Sequence, residues 1–400
     1  MNFQVILPLI FFALLMGSPV PGFLILALIG IWTSVSTWRE PLREGYWLWS
    51  QKDVLIALSF MSIVIFKIIT ALWSTEPILA LANAGWHLYF IFWPLVFLGL
   101  NRFKTSQAQI DKAIAAGLVF VALWRGIYAA TGLPVFDPGS AGIGLLAQLA
   151  MTMGAWNLLA LTRKDNTTKF WRFIQAIALP STFIIIILTT RRQELLGFFL
   201  IFSGILTYRL RHFYTFGRAI SAVLILTVIL AILITIRWEK FATGFNEIFY
   251  YFTKGNDEYV VRTSWGARLE MWRIGLHAFL DNPIIGLSAS VRPLGLQNYG
   301  APPAEFFQHR HFHQHIIQVL VEGGIIGLLL FLITTLYTIK EMIVKPFQNN
   351  PEIALLSAAL LASYIMEGLV SAPLVYDKPN ALLVITSAWI WLQIRRYNIN

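Results

Sequence analysis

Apolar runs about as long as a bilayer is thick, separated by short polar clusters, dominate this chain. A helix needs roughly 20 mostly apolar residues to cross a membrane. The pattern predicts helices over 3–17, 20–36, 54–74, 78–100, 113–131, 140–161, 173–190, 193–208, 218–237, 314–339, 352–371 and 380–395. Barrel strands would alternate apolar and polar positions over about 10 residues, so these runs read as helices. Residues 1–17 lack the basic start of a cleaved leader and are read as the first membrane helix. One stretch departs from the pattern: 238–313 is mostly polar and rich in aromatics, Pro and Gly. It contains a predicted amphipathic helix over 265–280, ending at Asp281-Asn282-Pro283. Loops of that length in compact proteins are more often functional than decorative. The expected fold is an all-α polytopic membrane protein of about 12 transmembrane helices with one large loop. It divides into 1–237 (helices one to nine), 238–313 (the loop) and 314–400 (helices ten to twelve).

Composition agrees: 57% of residues are hydrophobic, 12% are charged, and mean hydropathy is +0.67. Soluble chains carry about 25% charged residues. The net charge of +10 is the excess of Lys and Arg that cytoplasmic loops accumulate, so no nucleic acid partner is inferred from it. With the N-terminus inside, the cytoplasmic loops hold Arg39, Arg43, Lys52, Arg102, Lys104, Lys112, Arg163, Lys164, Lys169, Arg172, Arg209, Arg211, Arg218, Lys340 and Lys345. The short outer loops hold only Arg191, Arg192 and Lys378, and this asymmetry puts 238–313 outside. The chain has no cysteine, so disulfides, thiolate catalysis and Cys-ligated metals are excluded.

Candidate chemistry gathers on that outer side. Arg191-Arg192 lies in a tight outer turn, against the charge rule that the rest of the chain obeys. It is either tolerated surface charge or an anion site, since guanidinium forks match phosphate oxygens. Lys67, His87, Arg125, Glu322 and Glu367 fall in the outer halves of predicted spans. Charges there are costly and face a cavity or a partner, so each is a binding residue or half of a structural ion pair. The run His309-Arg310-His311-Phe312-His313-Gln314-His315 stands where the loop meets the tenth span, with Glu305 the one acidic residue nearby. Histidines two apart would line one face of a strand and could suggest a metal. On a helix they diverge, and a single histidine acting as general base is the favoured reading. At a helix N-terminus it would be biased toward its neutral form. Arg268 stands four residues before Trp272, on one helical face. Arg262 and Arg273 would point elsewhere on that helix.

Three local patterns resemble the O-antigen ligase and polymerase superfamily of bacterial membrane proteins. Thr190-Arg191-Arg192-Gln193-Glu194-Leu195-Leu196-Gly197 resembles the family's Ser/Thr–Arg turn, with Arg192 in register with its arginine and Arg191 in place of the Ser or Thr. Arg268-Leu269-Glu270-Met271-Trp272, followed by Asp281-Asn282-Pro283-Ile284-Ile285-Gly286, resembles its Arg-x-x-x-Trp helix and downstream turn. His311-Phe312-His313-Gln314-His315-Ile316-Ile317-Gln318, continuing to Val321-Glu322-Gly323-Gly324, is similar to its His-x-His-Asn run, with Gln314 replacing the Asn.

The resemblance implies a GT-C-like, inner-membrane glycosyltransferase with cytoplasmic termini and a periplasmic active side. Its donor would be a polysaccharide on undecaprenyl pyrophosphate, and its acceptor a lipid A–core hydroxyl. No metal or other cofactor is implied. His313 takes the register of the essential histidine, with Arg192 and Arg268 as catalytic arginines. Arg191, His311, Arg125, Lys67 and His87 are the substrate-binding candidates. A single large loop in 400 residues looks most like the ligases within the superfamily; polymerases and O-oligosaccharyltransferases are the alternatives. A lipid-linked glycan transporter is the competing reading from another class. One-sided charges and no evident internal repeat count against it.

Overall fold

The computed structural model describes residues 19–39, 49–102, 106–132, 140–163, 167–189, 192–213, 224, 228, 235, 238–255, 257–300 and 311–399. Among them the chain is all helical and contains no strand. Among the described residues four helical stretches are long and apolar enough to cross a membrane: Gln51–Trp73, Gln107–Thr131, Lys169–Thr189 and His315–Asn349. The spans predicted over 3–17 and most of 218–237 lie outside the described residues.

The first half comprises α1 (Pro19–Arg39), α2 (Gln51–Ile69), α3 (Pro77–Gly85), α4 (Trp93–Asn101), α5 (Gln107–Thr131), α6 (Ser140–Leu161), α7 (Lys169–Thr189) and α8 (Arg192–Phe213). Reciprocal capping boxes start α2 at Ser50/Asp53 and α5 at Ser106/Gln109, satisfying first-turn N–H groups. The predicted span 78–100 is not one helix. It breaks around the 3-10 turn Leu88–Phe90, and Pro94 opens α4 where its missing N–H costs nothing. The break leaves His87 between the two short helices. Close approach holds α1 on α4: a Cβ on Gly30 or Gly99 would meet the carbonyl of Leu95 or Leu26 at 2.0 or 2.2 Å. The core above them is aromatic, with Phe60, Trp93 and Phe97 in stacked array.

The second half continues with α9 (Trp238–Lys254), α10 (Glu258–Val261), α11 (Ser264–Asp281) and α12 (His315–Ile339). A π-helical turn, Lys340–Val344, leads to α13 (Lys345–Asn349), then α14 (Pro351–Gly368) and α15 (Asp377–Ile399). At the end of the bundle where α14 begins, Arg163 bridges Asp111 (2.7 Å) and Glu352 (2.8 Å), and Arg209 joins Glu352 at 2.5 Å. Asp53, buried at the start of α2, accepts from Arg395 and from Trp391 Nε1. These polar ties fix the far end.

The polar stretch after residue 237 is largely helical. Helix α11 buries Met271, Ile274 and Ala278 against Phe312, Ile317 and Val321 at the head of α12. Helix α9 is fastened to α11 at a fully buried carboxylate: Glu270 accepts from Tyr251 Oη (2.8 Å) and from Arg273 Nε and Nη2 (3.0 and 2.6 Å). Burial and then the Glu270 hydrogen bond push the Tyr251 phenol above its usual 10. Its contribution to stability is therefore full below pH about 10 and is lost as pH rises toward the folded value. Tyr251→Phe removes one hydrogen bond to a charged group and is expected to cost about 1.5–3 kcal/mol. Thermal unfolding of the purified protein near neutral pH measures the loss, and an unchanged midpoint would refute it.

Candidate active site

Helix α12 is interrupted at Gly324, whose φ of 60° and ψ of −155° lie outside the helical region. In a continuous helix the N–H groups of residues 325 and 326 would bond the carbonyls of 321 and 322. Here the Ile325 and Ile326 N–H groups donate instead to Pro283 O (2.8 Å) and Ile284 O (3.2 Å). The vacated carbonyls of Val321 and Glu322 accept from Leu287 N (2.8 Å) and Ser288 N (3.0 Å). The segment after α11 is thus spliced into the helix, with two helical bonds exchanged for four. The same strap reaches the first half of the chain. Ala289 N donates to Thr70 Oγ1, and Asn83 Nδ2 donates to Ala289 O.

The residues just before α12 form a tight knot. Phe312 is fully buried; its N–H donates to Gln318 Oε1 (3.0 Å) and its carbonyl accepts from Trp272 Nε1 (3.0 Å). His313 follows with φ of +50°, the left-handed region that non-glycine residues rarely occupy. Its backbone N–H donates to His311 Nδ1 (3.1 Å), and the two imidazoles lie 4.0 Å apart. A backbone N–H can only donate, so His311 Nδ1 accepts. In a neutral His311 the proton then sits on Nε2, facing Tyr376 Oη at 2.5 Å. Gln314 caps α12, its Oε1 accepting from Ile317 N at 2.6 Å. A glutamine thereby performs the capping that an asparagine does at such positions.

Beneath the knot lies a buried ion pair. Lys67 Nζ meets Glu322 Oε2 at 2.5 Å, and Gln318 Nε2 donates to Glu322 Oε1 at 2.6 Å. Phe66 packs where Cβ atoms on Gly323 and Gly327 would stand, which brings its neighbour Lys67 to α12. A small cavity of about 30 Å³ is lined by Lys67, His87, His315 and Glu322. Next to it, an apolar cavity of about 360 Å³ runs from Gln314 and His315 along α12 to Ile343.

Other candidates are placed by packing. Arg268 stands one turn before Trp272; its Nη1 donates to Ser264 Oγ at 2.7 Å and its guanidinium lies over Trp265. Trp265 meets Trp272 edge-on at 6.3 Å. Arg191 lies outside the described residues, as do Glu305, His309 and Arg310. Arg192 opens α8, and its side chain also lies outside them. Gly197 of α8 packs on Met366, while Gly368 packs on His315. The start of α8 and the start of α12 therefore share one end of the bundle, with the buried Glu367 between those contacts. Arg125 is buried in α5 over the Tyr128 ring, its Nε and Nη1 without a hydrogen bond. Among the described residues no hydrogen bond or ion pair ties it to Lys67 or Glu322. Among the described residues no three His, Asp or Glu side chains converge as a metal site.

Residues 176–332 match the family model described as O-antigen ligase. That segment is similar to the O-antigen ligase family. It runs from α7 through the splice and contains Arg192, Arg268, His311 and His313. Members of that family are glycosyltransferase-like enzymes. No protein of curated function matches the chain. Sequence reasoning missed Tyr376 and gave Gln318 no role. The i, i+4 spacing of Gln318 and Glu322 was the available signal for the second; nothing in the sequence ties residue 376 to 311.

Proposed function

We propose that the protein is an O-antigen ligase of the bacterial inner membrane. In this reading the membrane bundle has about 12 spans and cytoplasmic termini. The 238–313 unit and the start of α12 are periplasmic. The donor is a polysaccharide on undecaprenyl pyrophosphate, and the acceptor is a hydroxyl of lipid A–core. His313 carries the reading: it sits at a helix start in a left-handed conformation, inside the segment similar to the ligase family.

The reaction forms a bond from the acceptor oxygen to the anomeric carbon and breaks the bond from that carbon to the pyrophosphate. His313 removes the acceptor proton as attack proceeds. Negative charge appears on the departing undecaprenyl pyrophosphate, where Arg192, Arg268 and Arg191 stabilise it. Direct displacement inverts the anomeric configuration. His311 is engaged by the His313 N–H at one nitrogen and by Tyr376 at the other, which favours His313 as the base. A divalent cation is not required where guanidinium groups neutralise the leaving group.

The deciding experiment is reconstitution in proteoliposomes with a lipid pyrophosphate-linked glycan, offered rough lipopolysaccharide or a second donor. Transfer to lipopolysaccharide supports the ligase. Elongation on the carrier replaces it with a polymerase, and passage across the membrane without transfer replaces it with a transporter. Arg268→Ala is expected to lower kcat about 10²-fold or more, the scale for losing one preorganised charge donor. Steady-state kinetics at saturating acceptor measures it, and wild-type kcat would remove Arg268 from the leaving-group site.

A further inference from the structure

Two residues outside the matched segment tie into the histidine knot: Lys67 of α2 through Glu322, and Tyr376 of the turn before α15 at His311. We propose that Lys67, Glu322, Gln318 and Tyr376 form a brace of positioning residues that holds His313 in its left-handed conformation. This rests on the reading of His313 as the base.

The polarity of the brace is fixed at every link. The Lys67 ammonium can only donate and the Glu322 carboxylate can only accept. Glu322 spends one oxygen on Lys67 and the other on the Gln318 amide nitrogen, at 2.5 and 2.6 Å. The Gln318 carboxamide is thereby oriented with its oxygen toward the Phe312 N–H, 3.0 Å away. Reversing the amide would set donor against donor at Phe312 and acceptor against acceptor at Glu322. Charge on Glu322 therefore selects one orientation of Gln318, and Lys67 keeps that charge compensated in a buried setting. Gln318, Lys67 and Glu322 are all buried, so bulk water does not compete for these links.

From the other side, Tyr376 Oη meets His311 Nε2, and His311 Nδ1 takes the His313 N–H. The backbone is thus gripped at residue 312 through Gln318 and at residue 313 through His311. Those grips fix the peptide that joins 312 to 313, and the φ of His313 turns between that peptide and the Gln314-capped start of α12, a conformation that an L-residue adopts at a cost and that its surroundings must enforce. Lys67, a cation facing a cavity in the sequence pattern, is on this account committed to Glu322 rather than to substrate.

The test compares Gln318→Leu, Lys67→Met, Glu322→Gln and Tyr376→Phe, with Lys67→Arg as the conservative variant. The first three are expected to lose about tenfold or more in kcat with KM for donor and acceptor unchanged, since small misplacement of a reacting group costs up to about 10²-fold. Lys67→Met and Glu322→Gln together are expected to lose no more than either alone, and Lys67→Arg to recover most of the rate. Additive losses, or losses confined to KM, overturn the brace. A second readout needs no activity. The chain has no cysteine, so His313→Cys supplies a single thiol whose maleimide labelling rate reports how firmly the knot is held. Adding Gln318→Leu is expected to raise that rate several-fold; an unchanged rate overturns the brace. If His313→Ala transfers glycan normally, the base assignment fails while the labelling result still judges the brace.

Discussion

Replacing His313 with Ala is expected to lower glycan transfer by about 10²–10⁴-fold, the range that general-base assistance contributes, while leaving the protein folded. The imidazole is half-buried and outside the apolar clusters of the core. The knot around it is built from its backbone N–H, Phe312 and Gln318, none of which the substitution removes. The wild-type rate should fall on acidification, as a histidine base becomes protonated. The variant's residual rate should lose that acid limb. Initial-rate assays across pH 5–8 on reconstituted protein check both, and normal product from the variant refutes the role. His311→Ala provides the contrast. It removes the acceptor for the His313 N–H and the partner of Tyr376, so it acts on geometry and should keep the acid limb at a reduced rate.

The helical, membrane-embedded character was legible because apolar length is a property of each run taken alone. Helix α6 follows that pattern closely, from Ser140 to Leu161. The sequence also exposed parts of the candidate site as separate words: the Arg268–Trp272 face, the turn at 281–286 and the run 311–318. Their grammar was hidden. The splice of 283–288 into α12 is made of backbone N–H and carbonyl groups, which every residue possesses, so no side-chain pattern announces it. The single helix expected over 78–100 failed for a related reason. Hydropathy does not register that Pro94 restarts a helix, and the run stayed apolar across the break at His87. Intramembrane charge was the more informative signal. Lys67 and Glu322 were each open to an ion-pair role, and the structure pairs them with each other.

Gly324→Ala is expected to be the most damaging single substitution for the fold of this end of the protein. A Cβ there would lie 2.4 Å from both the carbonyl carbon and the oxygen of Ile284, which are backbone atoms with no rotamer to yield. The φ of 60° with ψ of −155° adds to this, because that region is essentially reserved for glycine and costs other residues about 1–3 kcal/mol. Relief requires withdrawing the 283–288 strap. That breaks the four exchanged bonds, each worth about 0.5–1.5 kcal/mol net, and strands the carbonyls of Val321 and Glu322. The damage would not stay local, since the strap also anchors Ala289 to Thr70 and Asn83. Gly286→Ala meets the splice from the other strand: at φ of 65° its Cβ would fall 2.6 Å from Gly324 N and from Val321 O. Gly126→Ala, in α5 with open space around its Cβ, is the control and should be neutral or gain up to about 1 kcal/mol of helix propensity. Thermal unfolding in detergent separates these outcomes. A Gly324→Ala protein melting within about 1 °C of wild type, a shift worth about 1 kcal/mol or less in a chain of this size, would mean the strap does not close on the helix as described.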